Sequence, residues 1–100
     1  MSVLDIREYA QPQVAMTPQA AYVNNQVTKQ QLAIGGSSTP SAAFSARTSL
    51  LRVHTDANCR LEWGTAPVAD ATSDRMSAGS TEYFWVLPGS SFKVAVISSS

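Results

Sequence analysis

In residues 49–63 apolar side chains return at every second position, and nowhere does the chain sustain the three-and-four spacing of a helix. Side chains two apart share one side of an extended strand, so this period commits the chain to half-buried β-strands. Leu51 and Val53 point one way and Arg52 and His54 the other, while Cys59, Leu61 and Trp63 alternate in the same manner with Arg60 and Glu62. Between the two runs, Thr55-Asp56-Ala57-Asn58 supplies short side chains that bond to nearby backbone, and a hairpin is expected.

Residues 81–87 are dense in aromatic and β-branched side chains, with Tyr83 and Trp85 on one face and Phe84 and Val86 on the other. Both faces of this strand are expected to be covered. Pro88-Gly89 breaks the run, and Phe92, Val94 and Val96 then alternate with Lys93 and Ala95, which predicts a second hairpin. Residues 64–80, with Pro67, Asp70, Ser73, Asp74 and Gly79, read as a long connection holding one short strand and able to cross between sheets. Near the start, Val3, Ile6 and Tyr9 fit neither a strand nor a capped helix, and Pro12 and Pro18 stop a long one. Residues 1–20 therefore read as an extended arm and residues 21–100 as the folded domain. Further strands are expected at 20–28, 30–34 and 42–46, with Gly35-Gly36-Ser37-Ser38-Thr39-Pro40 as a loop. Six to eight short strands in 100 residues predict one small all-β domain, a sandwich or barrel of jelly-roll-like form.

Charge narrows the function. Only 14% of residues are charged against 44% apolar, so uncharged Ser, Thr, Gln, Asn and Ala fill the polar positions, a composition suited to a surface pressed against another protein. Seven basic residues balance seven acidic ones and are scattered along the chain, without the basic stripe that nucleic-acid binding needs. A lone cysteine, Cys59, excludes an internal disulfide and a thiolate zinc site, which suits maturation in a reducing cytoplasm. Residues 1–9 carry Asp5, Arg7 and Glu8 where a secretory signal has an unbroken apolar core, and no uncharged apolar run approaches the length needed to span a bilayer.

No constellation for catalysis, cofactor or metal emerges. His54, the one histidine, lies beside Asp56 with serines nearby, but no Gly-x-Ser-x-Gly segment seats a nucleophile on a sharp turn, and a half-exposed strand histidine is expected. Cys59 alternates with core residues and reads as a small buried hydrophobe. Asp56, Asp70 and Asp74 match no calcium loop and read as solvated loop carboxylates. Trp63, Tyr83 and Trp85 admit a sugar-stacking platform, although their alternation with polar residues argues for core. Phe84 and Trp85 point to opposite faces, so one of them is expected to serve an interface.

Taken together, Leu51-Arg52-Val53-His54-Thr55-Asp56, Cys59 through Glu62-Trp63-Gly64, Pro67, Arg75-Met76-Ser77-Ala78-Gly79-Ser80-Thr81-Glu82-Tyr83-Phe84, Pro88-Gly89 and Lys93-Val94-Ala95-Val96-Ile97 form a recognisable pattern. It resembles a group of small structural proteins of tailed bacteriophages, over about half the chain. The resemblance implies a virion component: a capsid decoration or cement protein on the outer shell, bound to the major capsid protein and assembled in the host cytoplasm. The symmetry of a shell favours a homodimer or trimer on its local axes. A head-to-tail connector or tail component is the nearest alternative, and a carbohydrate-binding host-attachment module the next. On this reading Tyr9, Tyr22 and Phe44, aromatics outside the clear core strands, are the expected interface anchors.

Overall fold

The computed structural model of the chain describes residues 2–10 and 26–99. Eight strands follow one another: β1 (Val3–Ala10), β2 (Gln26–Ala33), β3 (Thr39–Pro40), β4 (Thr48–Thr55), β5 (Cys59–Gly64), β6 (Asp74–Met76), β7 (Thr81–Trp85) and β8 (Lys93–Ser98). No described residue is helical. The strands form two antiparallel four-stranded sheets, in the orders β2-β1-β4-β7 and β3-β8-β5-β6, and the protein is a β-sandwich. The period-two pattern supplies its interior. Leu4, Ile6, Leu32, Leu51 and Val53 of the first sheet meet Cys59, Leu61, Met76, Val94 and Val96 of the second in one buried cluster. Each fully buried Val, Leu or Ile contributes about 1.5–3 kcal/mol, so these inner rows dominate the stability.

Neither expected hairpin forms. β4 pairs with β1 and β7, whereas β5 pairs with β6 and β8, so the chain crosses from one sheet to the other at residues 56–58. The inward residues of β4 and β5 therefore face each other across the interior instead of sitting side by side on one sheet. At the crossing, Thr55 and Cys59 are both fully buried and their Oγ1 and Sγ atoms lie 3.6 Å apart. The β7–β8 connection crosses likewise. The expected long connection at 64–80 holds short β6 and ends by crossing to β7.

The first half of the expected arm is a strand. Val3–Ala10 lies between β2 and β4, with Leu4 and Ile6 inward and fully buried. Residues 11–20 of that arm lie outside the described residues. The inward alternation of β1 continues to Glu8, whose side chain is fully buried and accepts three hydrogen bonds. Oε1 takes Thr48 Oγ1–H (2.7 Å) and the Ser45 N–H (3.0 Å), and Oε2 takes Gln30 Nε2–H (2.9 Å). Gln30 Oε1 accepts the Ala42 N–H at 2.9 Å. Residues 42–46, expected as a strand, are instead an irregular segment pinned by these side-chain bonds and by Phe44 N–H to Phe92 O (2.9 Å). Loop backbone whose partners are side chains has no need of a ladder.

The two outer faces differ. Over the second sheet, Arg60 Nη1 donates to Ser73 O (2.9 Å), Ser73 Oγ donates to Glu62 Oε1 (2.8 Å) and Ala69 N donates to Ser38 Oγ (2.9 Å). These bonds lay residues 65–73 across it, and Ala95, on the outward row of β8, is fully buried. No such loop lies over the first sheet among the described residues; most of its outward side chains are half-buried or exposed, but Leu50, on the outward row of β4, is fully buried.

Replacing Glu8 by Ala strands three donors in the interior and is expected to cost about 3 kcal/mol or more, read from chemical denaturation. In the covering loop, Asp70 Oδ1 accepts Thr72 Oγ1–H (2.7 Å) and the Thr72 N–H (2.9 Å), which hold its carboxyl below the ordinary 3.8. The folded value being the lower one, the turn's contribution is complete above the ordinary value and fades as pH falls through the folded one. A carboxyl NMR titration of Asp70 should show that depression, and Thr72→Val should raise the midpoint toward 3.8.

Candidate functional site

Three of the four exposed large apolar side chains among the described residues lie around β7 and the loop that follows it, the fourth being Val68 in the loop across the second sheet. Leu87 is 77% exposed, Trp85 56% and Phe92 39%. They border a cavity of about 320 Å³ lined by Trp63, Phe84, Trp85, Val86, Leu87, Ser90 and Phe92. Its floor is built by the aromatic chain of the core: Phe44 lies 6.3 Å from Trp63 between ring centroids, and Trp63 lies 4.7 Å from Phe84. Both contacts are tilted, the favourable arrangement for aromatic quadrupoles. Its rim is shaped by a turn. Ser90 N–H donates to Leu87 O at 3.2 Å around Pro88-Gly89, and Gly89 has φ 77°, the left-handed conformation that a type II turn demands at its third residue. Ser91 follows at φ 59°, a conformation that costs a non-glycine residue about 1 kcal/mol and that carries the chain back to Phe92.

β7 also closes the first sheet on one side, and among the described residues its far edge has no partner strand. Val86 N–H donates to Ser49 O and Thr55 N–H to Ser80 O, so the even-numbered residues bond to β4. Antiparallel alternation then turns the N–H and C=O groups of Thr81, Tyr83 and Trp85 toward solvent. The other edges are less open to pairing. β3 has two residues and β6 three, and β2 carries the exposed Lys29. Short or charged edges resist pairing with foreign strands; β7 carries the exposed Glu82 near its start, and its Tyr83-Phe84-Trp85 stretch is uncharged.

The residues singled out from sequence fall elsewhere. Tyr9 is half-buried on β1, flush with the outer face of the first sheet beside Leu50. Tyr22 lies outside the described residues. Phe44 is 5% exposed and packs on Trp63, so it serves the core and not a surface. Of the pair Phe84 and Trp85, Trp85 is the outward one, as opposite facing allowed; Leu87 was missed because it flanks a turn and carries no period, and Phe92, read as the first of an alternating strand row with Val94 and Val96, lies before β8 and is exposed.

Polar chemistry is sparse here. Register sets Asp5, His54 and Thr81 in one row across β1, β4 and β7. His54 Nδ1 lies 2.8 Å from Thr81 Oγ1, but Asp5 Oδ1 accepts Gln31 Nε2–H at 2.8 Å and turns away from the ring. Asp56 Oδ1 accepts the Val3 N–H at 2.8 Å. Burial pushes the Cys59 thiol above its ordinary value, keeping it protonated and unreactive. Among the described residues no three His, Cys, Asp or Glu side chains gather as metal ligands, and no helix is long and apolar enough to cross a membrane. No family model, curated protein or solved structure matches the chain.

The two tryptophans should separate by role. Trp63→Ala removes the centre of the aromatic chain and is expected to cost about 3–5 kcal/mol, whereas Trp85→Ala should cost about 1 kcal/mol or less, both measured by denaturant midpoint.

Proposed function

We propose that this protein is a non-catalytic assembly module that attaches to other protein subunits through the free edge of β7 and the apolar cavity beside it. The observation that supports the reading most is their coincidence. Unpaired backbone at Thr81, Tyr83 and Trp85 adjoins exposed Trp85, Leu87 and Phe92. An extended segment of a neighbour can add to such an edge, its backbone bonding to β7 and an apolar side chain entering the cavity. Affinity then comes from strand pairing and specificity from the pocket. A sugar is less well served, since Ser90 is the one polar side chain in the lining.

The partner class follows from the resemblance to tailed-bacteriophage virion proteins: the major capsid protein, with this chain as a cement protein on the expanded head. Many copies, each burying an interface of roughly 800 Å² per partner, make modest energies collective in a closed lattice.

Tyr83→Pro tests the edge. Its N–H faces solvent, so proline there leaves the β4 ladder intact while removing a donor from the free edge. Wild-type protein is expected to co-sediment with expanded capsids lacking it and to saturate at a fixed ratio to capsid subunits. Tyr83→Pro should fold with an unchanged near-UV spectrum and bind at least about tenfold more weakly. Equal binding by Tyr83→Pro and Leu87→Ser overturns the proposed site, and no binding by the wild type overturns the capsid partner.

A further inference from the structure

Basic residues scattered in the sequence are gathered by the fold. On the outer face of the first sheet, register places Lys29, Arg7, Arg52 and Tyr83 side by side on β2, β1, β4 and β7, with Arg7, Arg52 and Tyr83 half-buried and Lys29 exposed. Asp56 N–H donates to Val3 O, which makes Arg7 and Arg52 a hydrogen-bonded pair with Cα atoms about 5.5 Å apart. Ile34 N–H donates to Ser2 O, which makes Arg7 and Lys29 the closer kind, about 4.5 Å apart. Like charges directly opposite destabilise a sheet. Among the described residues none of the three cations is held in an ion pair: the Arg7 side chain reaches the Gln26 amide oxygen at 3.4 Å, the side chains of Lys29 and Arg52 make no hydrogen bond, and the one carboxylate nearby is Asp5, two residues from Arg7 on the same face. Three cations within about 10 Å, with a single carboxylate beside them, leave an excess of positive charge complementary to an external anion.

The flanking rows narrow its chemistry. On one side lie Gln31, Asp5 and His54, donors and acceptors suited to hydroxyl groups. On the other, Trp85 is exposed, and it stands two residues from Tyr83 on the same face. The carboxyl of Asp5 beside the cations opposes a ligand with charge on every unit, such as a phosphodiester strand. It can accept hydrogen bonds from hydroxyls. Carboxylates at intervals, hydroxyls between them and apolar ring faces describe an acidic polysaccharide.

We propose that this face binds a carboxylated glycan chain, with uronate carboxylates in the forks of Arg7 and Arg52 and a sugar ring against Trp85 or Tyr83. The site lies on the outer face of the sheet and is distinct from the β7 edge, although Trp85 borders both.

The test is titration of the purified protein with oligogalacturonate, followed by calorimetry and tryptophan fluorescence. Saturable binding is expected, weakened at least about tenfold by Arg7→Gln and by Arg52→Gln and unaffected by Lys93→Gln on the opposite sheet. Thermal melts should stay level or rise in the arginine variants, since like-charge repulsion is relieved; Lys29→Gln serves if either fails to fold. Leu87→Ser, which cuts the apolar patch, should bind oligogalacturonate like wild type. Three results overturn the proposal: no binding, binding indifferent to the arginine substitutions, or binding of oligo-dT or polyglutamate as tight as that of oligogalacturonate. Equal binding of neutral dextran overturns the role of the carboxylates.

Discussion

A carboxyl group in the interior of the sandwich organises one end of it. Glu8 occupies an inward position of β1 that the alternation reserves for an apolar side chain, and burial obliges it to collect hydrogen bonds. It collects them from Gln30 on β2, from Thr48 at the start of β4 and from the backbone of Ser45. Those bonds fix the segment between β3 and β4, and that segment delivers Phe44 to Trp63. Trp63 in turn supports Phe84 and so the floor of the apolar cavity. The exposed patch thus rests, through three aromatic rings, on a buried polar contact in the same register row of the first sheet as Phe84.

The period of two was legible, and it identified most inward residues from Leu51 to Val96. It could not say which strands share a sheet. Leu51, Val53 and Thr55 on one strand, with Cys59, Leu61 and Trp63 on the next, give the same alternation in a hairpin and in a crossing between sheets. Only the partners of each strand distinguish the two, and those are distant in sequence. β1 was missed for a different reason. Val3, Ile6 and Tyr9 suggest no element, whereas Leu4 and Ile6 against Asp5 and Arg7 are a strand whose next inward position happens to be acidic. A buried Glu reads as a break in an apolar row unless its partners are known. The basic row was hidden likewise, because Arg7, Lys29 and Arg52 become neighbours only through register.

The sandwich presents two unlike sides. Residues 65–73, tied down by Arg60, Glu62 and Ser38, take up the outer face of the second sheet. No described loop covers the outer face of the first sheet, and at its margin β7 adds an edge without a partner among the described residues and the exposed rings. Both proposed binding surfaces therefore fall on one half of the molecule. A chain fixed through that half would present the loop-covered sheet outward.

The crossings between sheets have a kinetic consequence. Sequential neighbours pair only at β1–β2 and β5–β6, while β1 waits for β4, β4 for β7, and β5 for β8. Each of these later pairings closes a long loop before any ladder energy is returned, and that entropy sets the barrier. The fold is thus assembled from distant pieces and without a local nucleus of three consecutive strands.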